Sequence, residues 1–275
     1  MRTLVAYLAT AGGNDAVALG RRLARSLHGT VDIVIVIPPT DFSGNVRDQA
    51  AEWAAAALDT VPANLRGEAM VRESDSFANG LLSTVHERNS DMLVVGGTGG
   101  GVLSTHSLGA VVNDLVHSSP VPVAVASRGM RKSKVERITE VTCAIGDRPG
   151  AQHLLASAVE TAKTAEVPLR LLSLIALRPG DAEFARTEAL ARAERAVEQA
   201  RSALHADVAV STQIAEGTTI ETAVDNLTWA DGDLLIVGSS RLGAPRRTFL
   251  GSTAAKILRV LEVPMIVVPK EGADD

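Results

Sequence analysis

Short apolar runs alternate along the chain with stretches where apolar residues return every three or four positions, the two periods of buried strand and amphipathic helix. Residues 4–8 form the first apolar run, and residues 15–27 carry a helical stripe of Val17, Leu19, Leu23 and Leu27. The β-branched run 31–37 predicts a strand buried on both faces, and Pro38-Pro39 ends it. Val46, Ala50, Trp53, Ala57 and Leu58 share one face of a second helix. Residues 68–72 give a weak strand signal, and Phe77, Leu81, Leu82 and Val85 mark a third helix. A buried strand at 92–95 opens into glycines, Leu108, Val112, Leu115 and Val116 mark a fourth helix, and 121–125 is the closing strand.

The same order then returns. Strand signals stand at 141–145, 169–176, 208–214, 234–237 and 265–268. The longest helix covers 188–205, with Leu190, Ala193, Val197, Ala200 and Leu204 on one face. The run DMLVVGG at 91–97 recurs as DLLIVGS at 233–239, an offset of 142. Leu108-Gly109 recurs as Leu250-Gly251, and Val121-Pro122 as Val263-Pro264, in that same register. Nearer the start of each half the offset is 138, which a small difference in loop length explains. The chain is therefore predicted to hold two copies of one domain, 1–128 and 138–275. Between them, 129–137 is basic, polar and aperiodic, and reads as a solvated linker.

Strands separated by helices predict an α/β fold with two doubly wound five-stranded parallel sheets. Such sheets bind ligands beyond the C-terminal strand ends, where the strand order reverses. With the first strand central, the informative loops follow Leu8, Val95, Ile145 and Val237.

Composition narrows the chemistry. Aromatics are only 3% of residues, so the cores rest on Ala, Val, Leu and Ile, and base-stacking platforms for nucleic acid are scarce. The net charge of -5 comes without a long run of either sign. Cys143 is the only cysteine, which excludes an internal disulfide and argues against a thiolate metal site. The six histidines show no metal-ligand spacing. Neither a signal peptide nor a membrane-spanning run is expected, and a cytoplasmic location follows as the default.

The two glycine loops carry the specific signal. After its fourth strand the first half places two residues between Gly96 and Gly99, and nine between Gly99 and Gly109. The corresponding places in the second half are Gly238, Arg241, Gly251 and Ser252, followed by Thr253. Glycines there let backbone N–H groups approach a polyphosphate, and the next helix offers its N-terminus. The same spacing also serves a tight turn with no ligand. In its loops, strand context and duplication the chain resembles a tandem universal stress protein. That resemblance implies a Rossmann-like fold of the adenine nucleotide α-hydrolase type, a regulatory rather than catalytic role, and binding of ATP or another adenine nucleotide with no metal required. It also implies that the closing strands pair as an intramolecular pseudo-dimer, with room for homo-oligomers.

Both halves depart from the family pattern. Ala110 stands where a Ser or Thr is expected, and Leu8 where members place an Asp toward the nucleoside. In the second half Arg241 replaces the middle glycine, Gly146 occupies the Asp position, and Asp147 lies one residue beyond it. Arg246 and Arg247 offer further cations, and His106 lies in the first loop. Two other readings stay open. One is a scaffold or signalling module without nucleotide. The other is an adenylating enzyme, since Ala11-Gly12-Gly13-Asn14-Asp15-Ala16 resembles a pyrophosphate loop that has alanines in place of both serines. Its plainer reading is a glycine turn with Asn14 or Asp15 capping the next helix.

Overall fold

The structure, a computed structural model, describes residues 1–41, 44–97, 110–147, 149–177, 182–204, 208–239 and 252–269. Two compact units divide at Arg137, Met1–Arg137 and Ile138–Asp275. The first contains β1 (Arg2–Ala6), α1 (Ala11–Ser26), β2 (Thr30–Ile37), α2 (Gly44–Asp59), β3 (Arg66–Glu73), α3 (Phe77–Arg88), β4 (Met92–Gly96), α4 (Ala110–Ser118) and β5 (Val123–Ala126). The second contains β6 (Glu140–Ala144), α5 (Ala151–Ala165), β7 (Leu169–Ala176), α6 (Ala182–Ala203), β8 (Val210–Gly217), α7 (Ile220–Asp225), β9 (Asp233–Gly238), α8 (Ser252–Val260) and β10 (Met265–Val268). Among the described residues no helix is long and apolar enough to cross a membrane.

Within the first unit the sheet order is β3-β2-β1-β4-β5, and every pairing is parallel. Within the second it is β10-β9-β6-β7-β8, again parallel. Order therefore reverses between β1 and β4, and between β6 and β9. The central strands are buried on both faces, as their unbroken apolar runs require: Leu4, Val5, Leu93 and Val94 are inaccessible, as are Val141, Leu234 and Leu235. Cys143 lies in this core, and burial pushes its thiol up to about 12. By contrast β3 is mostly exposed and β8 mostly half-buried, and their polar side chains suit a sheet edge.

The second helix of each unit packs through alanine. Ala50, Ala54 and Ala57 are the buried residues of α2, and Ala189, Ala193, Ala196 and Ala200 those of α6. The first three pairs stand 139 residues apart, so the seam belongs to the repeat. Small side chains bring a helix close to a sheet and leave larger neighbours on its flanks. This alters two expected faces: Val46 and Trp53 are exposed rather than packed, and so is Leu190.

The segment 129–137, expected as a solvated linker, is bound to the first unit. Asp15, only 3% exposed, accepts hydrogen bonds from the backbone N–H of Gly129 at 3.0 Å and of Arg131 at 2.8 Å, and pairs with the Arg131 guanidinium at 2.9 Å. Arg22 donates to the Val135 carbonyl and to Ser133 Oγ, and Arg25 pairs with Glu136. One face of α1 thus organises the segment, and Met130 is buried there.

Candidate functional site

At the switch point of the first unit backbone segments lie directly against one another. Only four residues separate β1 from α1. Thr10, not Asn14 or Asp15, caps the helix: its hydroxyl accepts from Gly13 N–H at 3.2 Å. Asp15 is committed to the 129–131 segment, and the Asn14 side chain accepts from Tyr7 Oη–H at 3.2 Å. A side chain at Gly13 would collide with the Leu8 carbonyl, and one at Gly96 with the Gly12 carbonyl. A Cβ at Gly97 would lie 2.6 Å from the Ala126 carbonyl oxygen. These glycines serve contact of backbone with backbone. Gly12-Gly13, the loop compared above with an adenylating enzyme, has its Gly13 N–H occupied by Thr10.

The second unit is built differently at the same place. Six residues separate β6 from α5, and the helix is entered through Gly150 at φ 94°, a left-handed conformation that favours glycine. A cavity of about 400 Å³ lies at the ends of β6 and β9. Gly146, Asp147, His153, Arg192, Gly238 and Thr253 are among its lining residues. A Cβ at Gly146 would meet nothing within 4 Å, and one at Gly238 only the Leu154 side chain at 3.5 Å. Neither glycine is pressed against backbone, as Gly13, Gly96 and Gly97 are in the first unit.

Of the residues expected from sequence, Asp147, Gly238 and Thr253 share this cavity. Ser252 begins α8 beside Thr253 and is exposed. Gly96 ends β4 at the switch point of the first unit, packed against the Gly12 backbone. Gly99, Gly109, Arg241 and Gly251 lie outside the described residues, as do His106, Arg246 and Arg247.

Arg192 was not anticipated from sequence. Its Nε donates to Asp147 Oδ2 at 2.6 Å, and its Nη1 donates to the buried Ser173 Oγ at 3.0 Å. Arg195 adds a longer contact to Asp147 Oδ1 at 3.6 Å. The hydrogen bond from Arg192 holds the Asp147 carboxyl below the usual carboxylate range, so it keeps its charge in mild acid. The signal that locates Arg192 is the alanine seam: 139 residues earlier, the same helical position is Trp53.

Comparison with known proteins agrees with the duplication. The model of the Universal stress protein family matches residues 1–127 and again 138–269. The chain is 29% identical over 292 residues to Universal stress protein Rv2319c of Mycobacterium tuberculosis (strain ATCC 25618 / H37Rv), covering 98% of this chain and 100% of that one. Among solved structures it is similar to a universal stress protein from Archaeoglobus fulgidus DSM 4304, with TM-score 0.67, 18% identity and 98% of both chains covered. A putative universal stress protein from Pseudomonas aeruginosa UCBPP-PA14 gives TM-score 0.61 at 18% identity, covering 98% of this chain and 92% of that one. At such identity the structural likeness is one of fold.

Proposed function

The chain belongs to the universal stress protein family, and on that premise we propose that its second unit binds ATP or another adenine nucleotide as a regulatory ligand. The open crevice at the ends of β6 and β9 carries this reading. Its volume of about 400 Å³ falls within the range of roughly 300–1,000 Å³ usual for small-molecule sites. Thr253 offers a hydroxyl, the first turn of α8 offers backbone N–H groups, and Gly146 and Gly238 leave room for a ligand. Arg192 brings a cation to the same wall. Asp147 can accept from a ribose hydroxyl by sharing its carboxylate with Arg192.

That shared carboxylate also favours a second reading, a nucleotide-independent scaffold, in which the Asp147–Arg192 pair is simply structural. Thermal unfolding with ATP, AMP and cyclic AMP separates the two. A ligand at 100 times its Kd stabilises the state that binds it by about 2.7 kcal/mol. Saturable stabilisation by at least one of the three nucleotides is expected; no shift at millimolar ligand would favour the scaffold.

We also propose that the two units associate through β5 and β10. Each is the end strand of its own unit's sheet and carries only apolar side chains, and such an edge invites pairing. The second unit expressed alone is then expected to self-associate, and sedimentation as a stable monomer would contradict the pairing.

A further inference from the structure

The first unit carries a recess of about 790 Å³ between the end of β2 and α2. Its floor is Ile35, Val36, Ile37 and Ala50, all buried. Leu8, Val46, Trp53 and Phe77 also line it, and they are four of the six large apolar side chains exposed among the described residues. Leu8 is 54% and Trp53 47% exposed. Single exposed apolar side chains need no explanation, but their gathering around one concave surface marks a binding site.

The cluster follows from the packing of α2. The alanine seam fixes the helix against the sheet and leaves Trp53 and Val46 on the flank that faces the recess. On the same side Asp48 and Glu52 stand one turn apart, and no Lys or Arg is among the described lining residues. Where the first unit has Trp53, the second has Arg192. One copy thus presents an aromatic and acidic wall, the other an arginine paired with Asp147.

We propose that this recess binds a small amphipathic organic cation, such as an aromatic or alkyl ammonium compound. Its apolar body lies against Trp53, Phe77 and Leu8, and its charge lies near Asp48 and Glu52. A cation is drawn both to the face of an indole and to the carboxylates. The volume suits a ligand of that size. A nucleotide suits it poorly, because the carboxylates repel phosphate. This site lies in the first unit, so it stands or falls independently of nucleotide binding in the second.

Tetraphenylphosphonium and tetraphenylborate share one apolar shell and differ in the sign of their charge. Calorimetric titration of each into the full chain tests the proposal. Saturable binding of the phosphonium is expected, with the borate weaker by about tenfold or more. Trp53→Ala, and the double variant Asp48→Asn with Glu52→Gln, should each weaken the phosphonium by about tenfold. All three positions are exposed, so the fold is retained. Trp229, the other tryptophan, lies 4.9 Å from Arg170 in the second unit, so a fluorescence change lost in Trp53→Phe assigns the signal to the recess. Equal affinity for the two ions, affinity unchanged in the variants, or no saturable binding would overturn the proposal.

Discussion

Gly96→Ala is expected to destabilise the first unit by about 1–3 kcal/mol, whereas Gly238→Ala leaves the second unchanged or more stable by up to about 1 kcal/mol. The two glycines are equivalent in the repeat, 142 residues apart at the ends of β4 and β9. They differ in what a methyl group would meet. At Gly96 it collides with the Gly12 carbonyl, a backbone group fixed by the first turn of α1. Relief requires moving β4 or α1, both packed in the core. At Gly238 the neighbour is a Leu154 methyl group at 3.5 Å, an ordinary contact. The alanine there also restricts the unfolded chain. Urea unfolding of each variant gives the comparison, and equal losses at the two sites would show that the crevices do not differ as described.

Asp15→Ala is expected to cost about 2–4 kcal/mol, because a buried charged acceptor disappears and leaves its donors unpaired. The Gly129 and Arg131 N–H groups lose their partner together. The Arg131 guanidinium can turn toward water, since its side chain is 34% exposed, so Arg131→Ala should cost under about 1 kcal/mol. Asp15→Asn keeps one acceptor oxygen and should fall between the two. If Asp15→Ala and Arg131→Ala prove equally mild, the 129–137 segment is not held as described.

The strand pattern was legible because parallel strands buried on both faces read as unbroken apolar runs. The expected bounds of β7 and β10 coincide with the observed ones. At β1 the apolar run continued to Leu8, but the strand ends at Ala6 and Leu8 turns outward into the recess. The start of α1 was misread because Asp15 has the residue type of a cap but serves a distant segment, while Thr10 does the capping. The helix faces of α2 and α6 were read through their largest apolar residues, yet alanine makes the seam. That choice hid Arg192: its pairing with Asp147 and Ser173 depends on which side of α6 meets the sheet, and the three lie on different elements. The grouping of Asp147, Gly238 and Thr253 was legible, because strand order alone brings the ends of β6 and β9 together.

The unequal state of the two copies is the central claim, and nucleotide stoichiometry tests it most directly. Equilibrium dialysis of ATP should be compared for the natural chain, Gly146→Leu and Leu8→Ala. Gly146→Leu places a side chain in open space within the second crevice, so the fold is retained while the cavity fills. One nucleotide per chain is expected, weakened by about tenfold or more in Gly146→Leu and unchanged in Leu8→Ala. Two nucleotides per chain, or binding that Gly146→Leu leaves intact, would contradict it.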